Sequence, residues 1–294
     1  MHRWVQRHGW DRAVEHYDDT WRDQLRPAHT AVLAAAALTP GDEVIEVACG
    51  TGMVTLPVAA AVGPTGRVVA TDISGKMVTD TAQRAGELGY GHVTTVRTDA
   101  ESLGADIGSE PAFDVALCAL GLMYVPDPPL AVRAMADLLR PGGRFVAAVW
   151  GARRSCGWAS IFPIIDSRVD SDVCPLFFAL GAPGRLAAVA AEAGLADIVE
   201  QRITCHLEYP DANAAVRAAF LGGPVALAWS RFDEATRAEA AAEYLASIEP
   251  FRHGTGYRVP GEFLIVAARR DTAEGDHATD LTDLHNNQQQ GAMQ

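Results

Sequence analysis

Glu43-Val44-Ile45-Glu46-Val47-Ala48-Cys49-Gly50-Thr51-Gly52 sets the expectation for the rest of the chain. Glu43 to Ala48 is short and rich in β-branched side chains, so it predicts a strand. Gly50 and Gly52 then let the backbone turn sharply and approach a ligand with no Cβ in the way. A helix running on to about Val62 aims its first amide groups into the same space. Asp72 closes a second strand, Arg67 to Thr71, where a carboxylate can accept both protons of a ribose diol. Together these features predict a nucleoside-binding βαβ unit, although so short a glycine motif is weak on its own.

The pattern continues on both sides. Upstream, Trp4 to Leu38 has helical periodicity, with Trp10, Val14, Tyr17 and Trp21 on one face. Pro27 is expected to interrupt it, leaving a second helix over Ala28 to Leu38. Pro57 is expected to kink or tighten the helix after the glycine turn. Downstream, a helix over Ser74 to Leu88 and strands at His92 to Arg97, Phe113 to Leu117 and Arg144 to Val149 follow. Pro129 to Leu139 is a helix, broken by Arg140-Pro141-Gly142-Gly143. Five β-rich runs separated by helices, without hairpin turns, imply right-handed crossovers and a doubly wound, Rossmann-like α/β sheet. Ligands on such sheets bind at the carboxyl ends of the strands. Further on come a helix at Pro183 to Ala193, a sixth strand at Gln201 to Glu208, helices near Ala212 to Leu221 and Asp233 to Ile248, and a buried strand at Glu262 to Ala268.

Two details bear on the ligand. A dinucleotide fingerprint would place a third glycine at position 55, which is Thr55. Glu46 stands four residues before Gly50; a pyrophosphate gains nothing from a nearby carboxylate, whereas an ammonium group does. The alternative for Glu46 is a solvated residue at the start of a strand.

These segments resemble the class I S-adenosylmethionine-dependent methyltransferases, in particular the ubiquinone/menaquinone C-methyltransferase-like (methyltransferase type 11) branch. The resemblance covers residues 10–150 and extends more loosely to 270. Glu46 to Gly52 is similar to that family's first motif, and Thr71-Asp72-Ile73-Ser74 through Met77 to its second. Thr98-Asp99-Ala100-Glu101 is similar to the third, Phe113 to Leu122 to the fourth, and Leu139 to Arg144 to the turn before the fifth strand. The resemblance implies a seven-stranded, mostly parallel sheet with an antiparallel last strand and a helical lid insert. It implies S-adenosyl-L-methionine as cofactor, bound by Tyr17, Glu46, Ala48, Gly50, Thr51, Gly52, Asp72, Ile73, Met77, Asp99, Ala100 and Cys118. Within that set Asp72 would hold the ribose, Asp99 the adenine amino group and the Ala100 amide its ring, while Tyr17 would cover the methionine moiety. The implied organisation is an N-terminal helical lid over 1–40, a cofactor-binding core over 41–150, the rest of the sheet over 151–270 with an acceptor-pocket insert at about 209–258, and a disordered tail over 271–294.

The acceptor side is less defined. Leu122, Met123 and Tyr124 after the fourth strand, Trp150 and Trp158 after the fifth, and Phe220 and Trp229 in the insert lie where that family builds its lid, and such side chains suit a flat or greasy acceptor. Of these, Met123, Tyr124, Trp150 and Trp158 are the expected substrate pocket; each could instead pack the insert onto the sheet. His16 and His253 are the candidates for a general base, though an exposed helix position and a solvent-exposed loop are the alternatives. His8 and His206 are further histidines, and His206 is expected at the surface. No Asn/Asp-Pro-Pro-Tyr/Phe motif and no Pro-Cys nucleophile follows the fourth strand, which disfavours amino-group methylation of adenine or glutamine and cytosine C5 chemistry.

Composition narrows the partners. Net charge is −13, and five of the 37 acids but none of the 24 Lys and Arg fall in 271–294. A polyanion would be repelled by the remaining acidic body, so nucleic acid is not expected. The five cysteines are scattered, with no Cys-x-x-Cys pair, which argues against disulfides and a metal site. No apolar run is long enough to span a bilayer, and the first residues have no signal-peptide core, so a cytoplasmic location is expected. A homodimer is compatible with these features. The expected function is methyl transfer to carbon, oxygen or nitrogen of a small organic acceptor in secondary or quinone-like metabolism. The alternatives are an NAD(P)-dependent oxidoreductase, which the single lysine, Lys76, serves poorly, and a non-catalytic S-adenosylmethionine-binding protein.

Overall fold

The computed structural model describes residues 2–170, 174–223 and 225–272. The chain opens with a long helix, α1 (His2–Ala36), followed by β1 (Glu43–Val47), α2 (Thr55–Val62), β2 (Arg67–Asp72), α3 (Gly75–Glu87) and β3 (Val93–Arg97). Then come α4 (Leu103–Ile107), β4 (Phe113–Ala119), α5 (Pro128–Asp137) and β5 (Leu139–Trp150). The second half holds α6 (Ile161–Asp166), α7 (Arg185–Glu192), β6 (Leu195–Tyr209), α8 (Ala212–Phe220), α9 (Ala226–Arg231), α10 (Glu234–Ile248), β7 (Arg252–His253) and β8 (Gly256–Arg270).

The sheet runs in the order β3-β2-β1-β4-β5-β8-β6. The pairs from β3 through β5 are parallel, and β8 lies antiparallel between β5 and β6. That is the doubly wound sheet with an antiparallel last strand that the alternation of elements predicts. An eighth strand, the two-residue β7, adds a hairpin with β8 that is too short to leave a pattern in the sequence. The strands at the centre are apolar on both faces because helices cover both sides. In β1 all four residues Val44 to Val47 are buried, Glu46 among them. The direction of winding reverses between β1 and β4, and the crevice opens there at the carboxyl ends of the strands.

Pro27 does not end the first helix, contrary to the expectation. It lies on the exposed face of α1, while Trp21, Leu25, Ala28, Val32 and Ala36 continue the buried stripe past it. Packing that stripe against the sheet outweighs one lost helical hydrogen bond. Pro57 is also less disruptive than expected, because it falls in the first turn of α2, where proline is tolerated. The tail foreseen over 271–294 lies outside the described residues from 273 onward. Among the described residues no helix is long and apolar enough to cross a membrane, and no cluster of His, Cys, Asp or Glu is arranged to hold a metal.

Candidate functional site

Each residue motif after a parallel strand arrives at one cavity. β1 delivers Val47, Ala48 and Gly50; β2 delivers Thr71, Asp72 and Ile73, with Met77 from α3; β3 delivers Thr98, Asp99 and Ala100; and β4 delivers Cys118 to Gly121. The roof is α1, whose Arg3, Gln6, Trp10 and Tyr17 face inward from successive turns. About 810 Å³ of space free of protein atoms, part of it open to solvent, lies within this lining.

Backbone conformation shapes this cavity. Gly50 takes φ +56°, which glycine adopts without strain. Ala48 (φ +59°) and Leu120 (φ +64°) adopt left-handed backbone at the ends of β1 and β4, a cost that surrounding packing must hold in place. Asp72 then ties two strand ends together: its Oδ2 accepts the Gly50 N–H at 3.0 Å and its Oδ1 the Ser74 N–H at 2.8 Å.

The electrostatics favour a cationic ligand. Burial pushes the Asp72 carboxyl up to about 6 despite those two amide donors. Burial, with help from the Asp72 charge, raises Glu46 to about 8. Glu46 does not line the cavity; it sits behind the wall, 1% exposed, and its Oε2 has no hydrogen-bond partner. A positive charge placed in the cavity would relieve both groups. Burial, followed by the neighbouring Asp18 and Asp72 charges, holds the Tyr17 phenol well above its ordinary value. Tyr17 is therefore a neutral wall at physiological pH.

The first helix is fastened over the cavity by polar contacts. Asp11 Oδ1 accepts the Ser74 hydroxyl at 2.6 Å. Asp18 accepts the Thr51 hydroxyl and pairs with Arg84. Arg3 lies 2.7 Å from Asp99 Oδ2 and also pairs with Glu101. Thr51 thus serves as an anchor point for α1, and neither it nor Gly52 lines the cavity. Of the twelve residues expected around the cofactor, Tyr17, Ala48, Gly50, Asp72, Ile73, Met77, Asp99, Ala100 and Cys118 stand in its lining.

A second cavity adjoins the first and shares Trp10, Tyr17, Leu120 and Tyr124 with it. Met123, Tyr124, Trp150 and Trp158 all line it, together with Trp21, Phe162, Phe177, Tyr209 and Tyr244. It holds about 550 Å³ of space free of protein atoms, part of it open to solvent. Its rings pack edge to face: Trp150 and Trp158 are 4.8 Å apart, and Trp21 contacts both. Phe220 and Trp229 instead stack on each other at 4.2 Å and do not line the cavity. Leu122 is fully buried behind it.

The histidines lie elsewhere. His16 is half-buried on α1 outside both linings, His253 is exposed in β7 and His206 is exposed on β6. His8 stacks on Trp4 at 4.2 Å. Among the described residues no histidine faces either cavity. Several lining residues carried no separate sequence signal. Arg3 and Gln6 continue the α1 stripe, so helical periodicity could have found them. Phe177, Tyr209 and Tyr244 come from distant elements and meet only in the folded chain.

Known proteins fit this architecture. Residues 44–143 match the methyltransferase domain family. The chain is 31% identical over 252 residues to nocamycin O-methyltransferase of Saccharothrix syringae, covering 81% of this chain and 89% of that protein. It is 38% identical over 112 residues to the ubiquinone/menaquinone biosynthesis C-methyltransferase UbiE of Ectopseudomonas mendocina, covering 38% of this chain and 43% of that one. Among solved structures, YcgJ of Bacillus subtilis has the same fold, with a TM-score of 0.61 at 17% identity over 85% of this chain and 100% of that one.

Proposed function

The chain belongs to the S-adenosylmethionine-dependent methyltransferases, and on that premise we propose that it methylates an oxygen of a small, largely apolar acceptor held in the aromatic cavity. One observation carries this reading: the cavity at the strand ends lies directly against an aromatic one, with Trp10, Tyr17, Leu120 and Tyr124 lining both. The relative aligned over most of its length is named for O-methylation, which favours oxygen.

The residues present fit the cofactor. When bound, S-adenosylmethionine supplies a sulfonium-activated methyl group with a neutral thioether as leaving group. Asp72 would accept the ribose hydroxyls, Ile73 and Met77 would flank the adenine, and Asp99 with the Ala100 amide would bond its edge. Gly50 leaves room for close backbone approach, and Ala48 and Cys118 complete the wall. With its carboxyl raised to about 6, Asp72 is largely ionised near neutral pH and supplies negative potential for a cation, whereas Glu46, raised to about 8, is largely protonated until a cation binds. Burial keeps the Cys118 thiol protonated, up at about 12, so it acts as packing.

Catalysis on this reading is alignment and exclusion of water. The α1 roof and the helices over about 209–258 close the site over the 41–150 core, and the aromatic walls fix the acceptor plane. Positioning of this kind is worth roughly 7 kcal/mol or more in favourable cases. Among the described residues no histidine faces either cavity, so on this reading the acceptor oxygen gives up its proton to solvent and not to His16 or His253.

The test is turnover. The full chain is incubated with S-adenosylmethionine and a panel of phenols, enols, carbon acids and amines, and products are read by mass spectrometry. O-methylated products from flat apolar acceptors are expected. Transfer confined to amines or carbon acids would refute the oxygen reading, and binding of S-adenosylmethionine without turnover on any class would favour a non-catalytic binder.

A further inference from the structure

The sheet ends at β6, and the outer edge of that strand is open along its middle. Among the described residues β6 pairs with β8 alone, in an unbroken register from Val199 opposite Ala267 to Tyr209 opposite Tyr257. Residues two apart in such a strand aim their backbone groups to the same side. Glu208 shows which side that is. Its N–H donates to Gln24 Oε1 at 2.9 Å and its carbonyl accepts from Gln24 Nε2 at 2.6 Å, so both point away from β8. Glu200, Arg202, Thr204 and His206 therefore turn their N–H and C=O outward as well. Nothing among the described residues meets them there.

Both ends of this edge are closed. Gln24 takes the place of a neighbouring strand at Glu208. At the other end the register shifts between Ala196 and Val199, with Asp197 at φ +51°. Such devices keep an edge from pairing. Between them the protection stops. Val199 is 63% exposed, more than any other large apolar side chain among the described residues. On the sheet face that Val199 shares, Gln201 and Ile203 floor a groove against α1, walled by Pro27, Ala31, Ala34 and Ala35.

The open stretch is complementary to itself. A second β6 laid antiparallel about Gln201 places Glu200 of each copy opposite Arg202 of the other, so unlike charges face across the seam. Centring the pair on Arg202 would instead oppose two guanidinium groups. The turn about Gln201 also sets Val199 of each copy beside Ile203 of the other, at the groove under α1. The charges bordering that groove, Asp23 and Arg26, already pair within one chain. These four side chains sum to zero in a chain whose net charge is −13, so the seam lacks the repulsion of the rest of the surface.

We propose that two copies of the chain join edge to edge through β6, antiparallel about Gln201, with Val199 of each seated over Ile203 in the other's groove. Glu200 and Arg202 then exchange roughly four backbone hydrogen bonds across a two-fold axis. The sheet runs continuously from one copy into the next, and α1 of both lies on the same side of it.

Sedimentation velocity on the full chain, from about 1 to 100 µM, reads the assembly, and a species of twice the chain's mass is expected. V199K and A34R each place a charge in the groove and should weaken association by about tenfold or more. Both positions are exposed, so melting temperatures should stay close to the parent's. Leu88, exposed just after α3, is the control: L88K should leave the assembly intact. Q201C reads the register. Its two copies would stand with Cα atoms about 4.5 Å apart, within disulfide reach, so mild oxidation should give a covalent dimer while L88C stays uncrosslinked. A chain that sediments as a monomer throughout overturns the proposal, even if the edge captures a strand of another protein. So does a dimer indifferent to both V199K and A34R, or one in which Q201C crosslinks no better than L88C. If the charged variants unfold, the Q201C comparison decides the matter alone.

Discussion

Asp72 accepts the backbone N–H of Gly50 at 3.0 Å, so the carboxylate at the end of one strand and the glycine turn at the end of its neighbour form a single unit. The carboxylate is 8% exposed and accepts a second amide from Ser74. Any ligand hydroxyl it binds is therefore placed relative to the turn.

Replacing Asp72 tests that unit. D72A is expected to weaken S-adenosylhomocysteine binding by about 10- to 100-fold, the range for hydrogen bonds to a charged group. Isothermal titration calorimetry reads the loss directly. Unchanged affinity would mean that Asp72 only braces the turn.

Glu46 predicts how stability depends on pH. Its carboxyl is raised from 4.5 to about 8 by burial, and that of Asp72 from 3.8 to about 6. An acid raised in the folded state contributes stability that is complete below its ordinary value and is lost as pH rises through the folded value. The ligand-free chain should therefore lose stability between about pH 4 and pH 8. E46Q should melt higher than the parent above pH 8 and match it near pH 4. Thermal melts across that range decide it, and parallel curves for the two chains would show that Glu46 is ionised in the fold at little cost.

Pro27 offers a gain. It sits on the exposed side of α1 and lacks the N–H that a helix interior uses. P27A should stabilise the chain by about 1–3 kcal/mol, toward the upper end if the helix is straight there. The midpoint of urea unfolding measures this. A destabilised variant would show that the proline produces a bend the packing requires.

Arg3 should govern ligand exchange at the Asp99 end of the cavity. Its guanidinium lies 2.7 Å from Asp99, in the cavity lining, and is largely exposed, so the pair itself adds little stability. R3A is expected to speed S-adenosylhomocysteine release about two- to fivefold with little change in melting temperature. Stopped-flow tryptophan fluorescence follows the release, and an unaltered rate would assign Arg3 to the surface alone.

The parallel half of the sheet was legible because β1, β2 and β3 are short and rich in β-branched residues, and β4 and the end of β5 are apolar runs bounded by turn chemistry or helices. Glu43 to Gly52 and Asp72 announce themselves locally, and the structure gathers their strand ends at one crevice. Pro27 was misread because local propensity took precedence over the buried stripe from Trp21 to Ala36, which becomes decisive only when α1 packs on the sheet. The aromatic cavity was half legible. Trp150 and Trp158 follow a recognisable strand, whereas Tyr209 and Tyr244 lie far along the chain and join them only through the fold. Nothing in the sequence indicates that Arg3 would reach Asp99, 96 positions further along the chain, or that Glu46 would end behind the cavity wall.

The placement of β8 between β5 and β6 bears on how the chain is made. As synthesis proceeds from the amino end, β6 emerges with no neighbour, since among the described residues it pairs with β8 alone, which spans Gly256 to Arg270. The parallel half can assemble first, with β5 waiting as an open margin. The nascent molecule thus holds two unzipped edges until β8 slides between them, and that interval is when a chaperone, or a wrong partner, has most to grip.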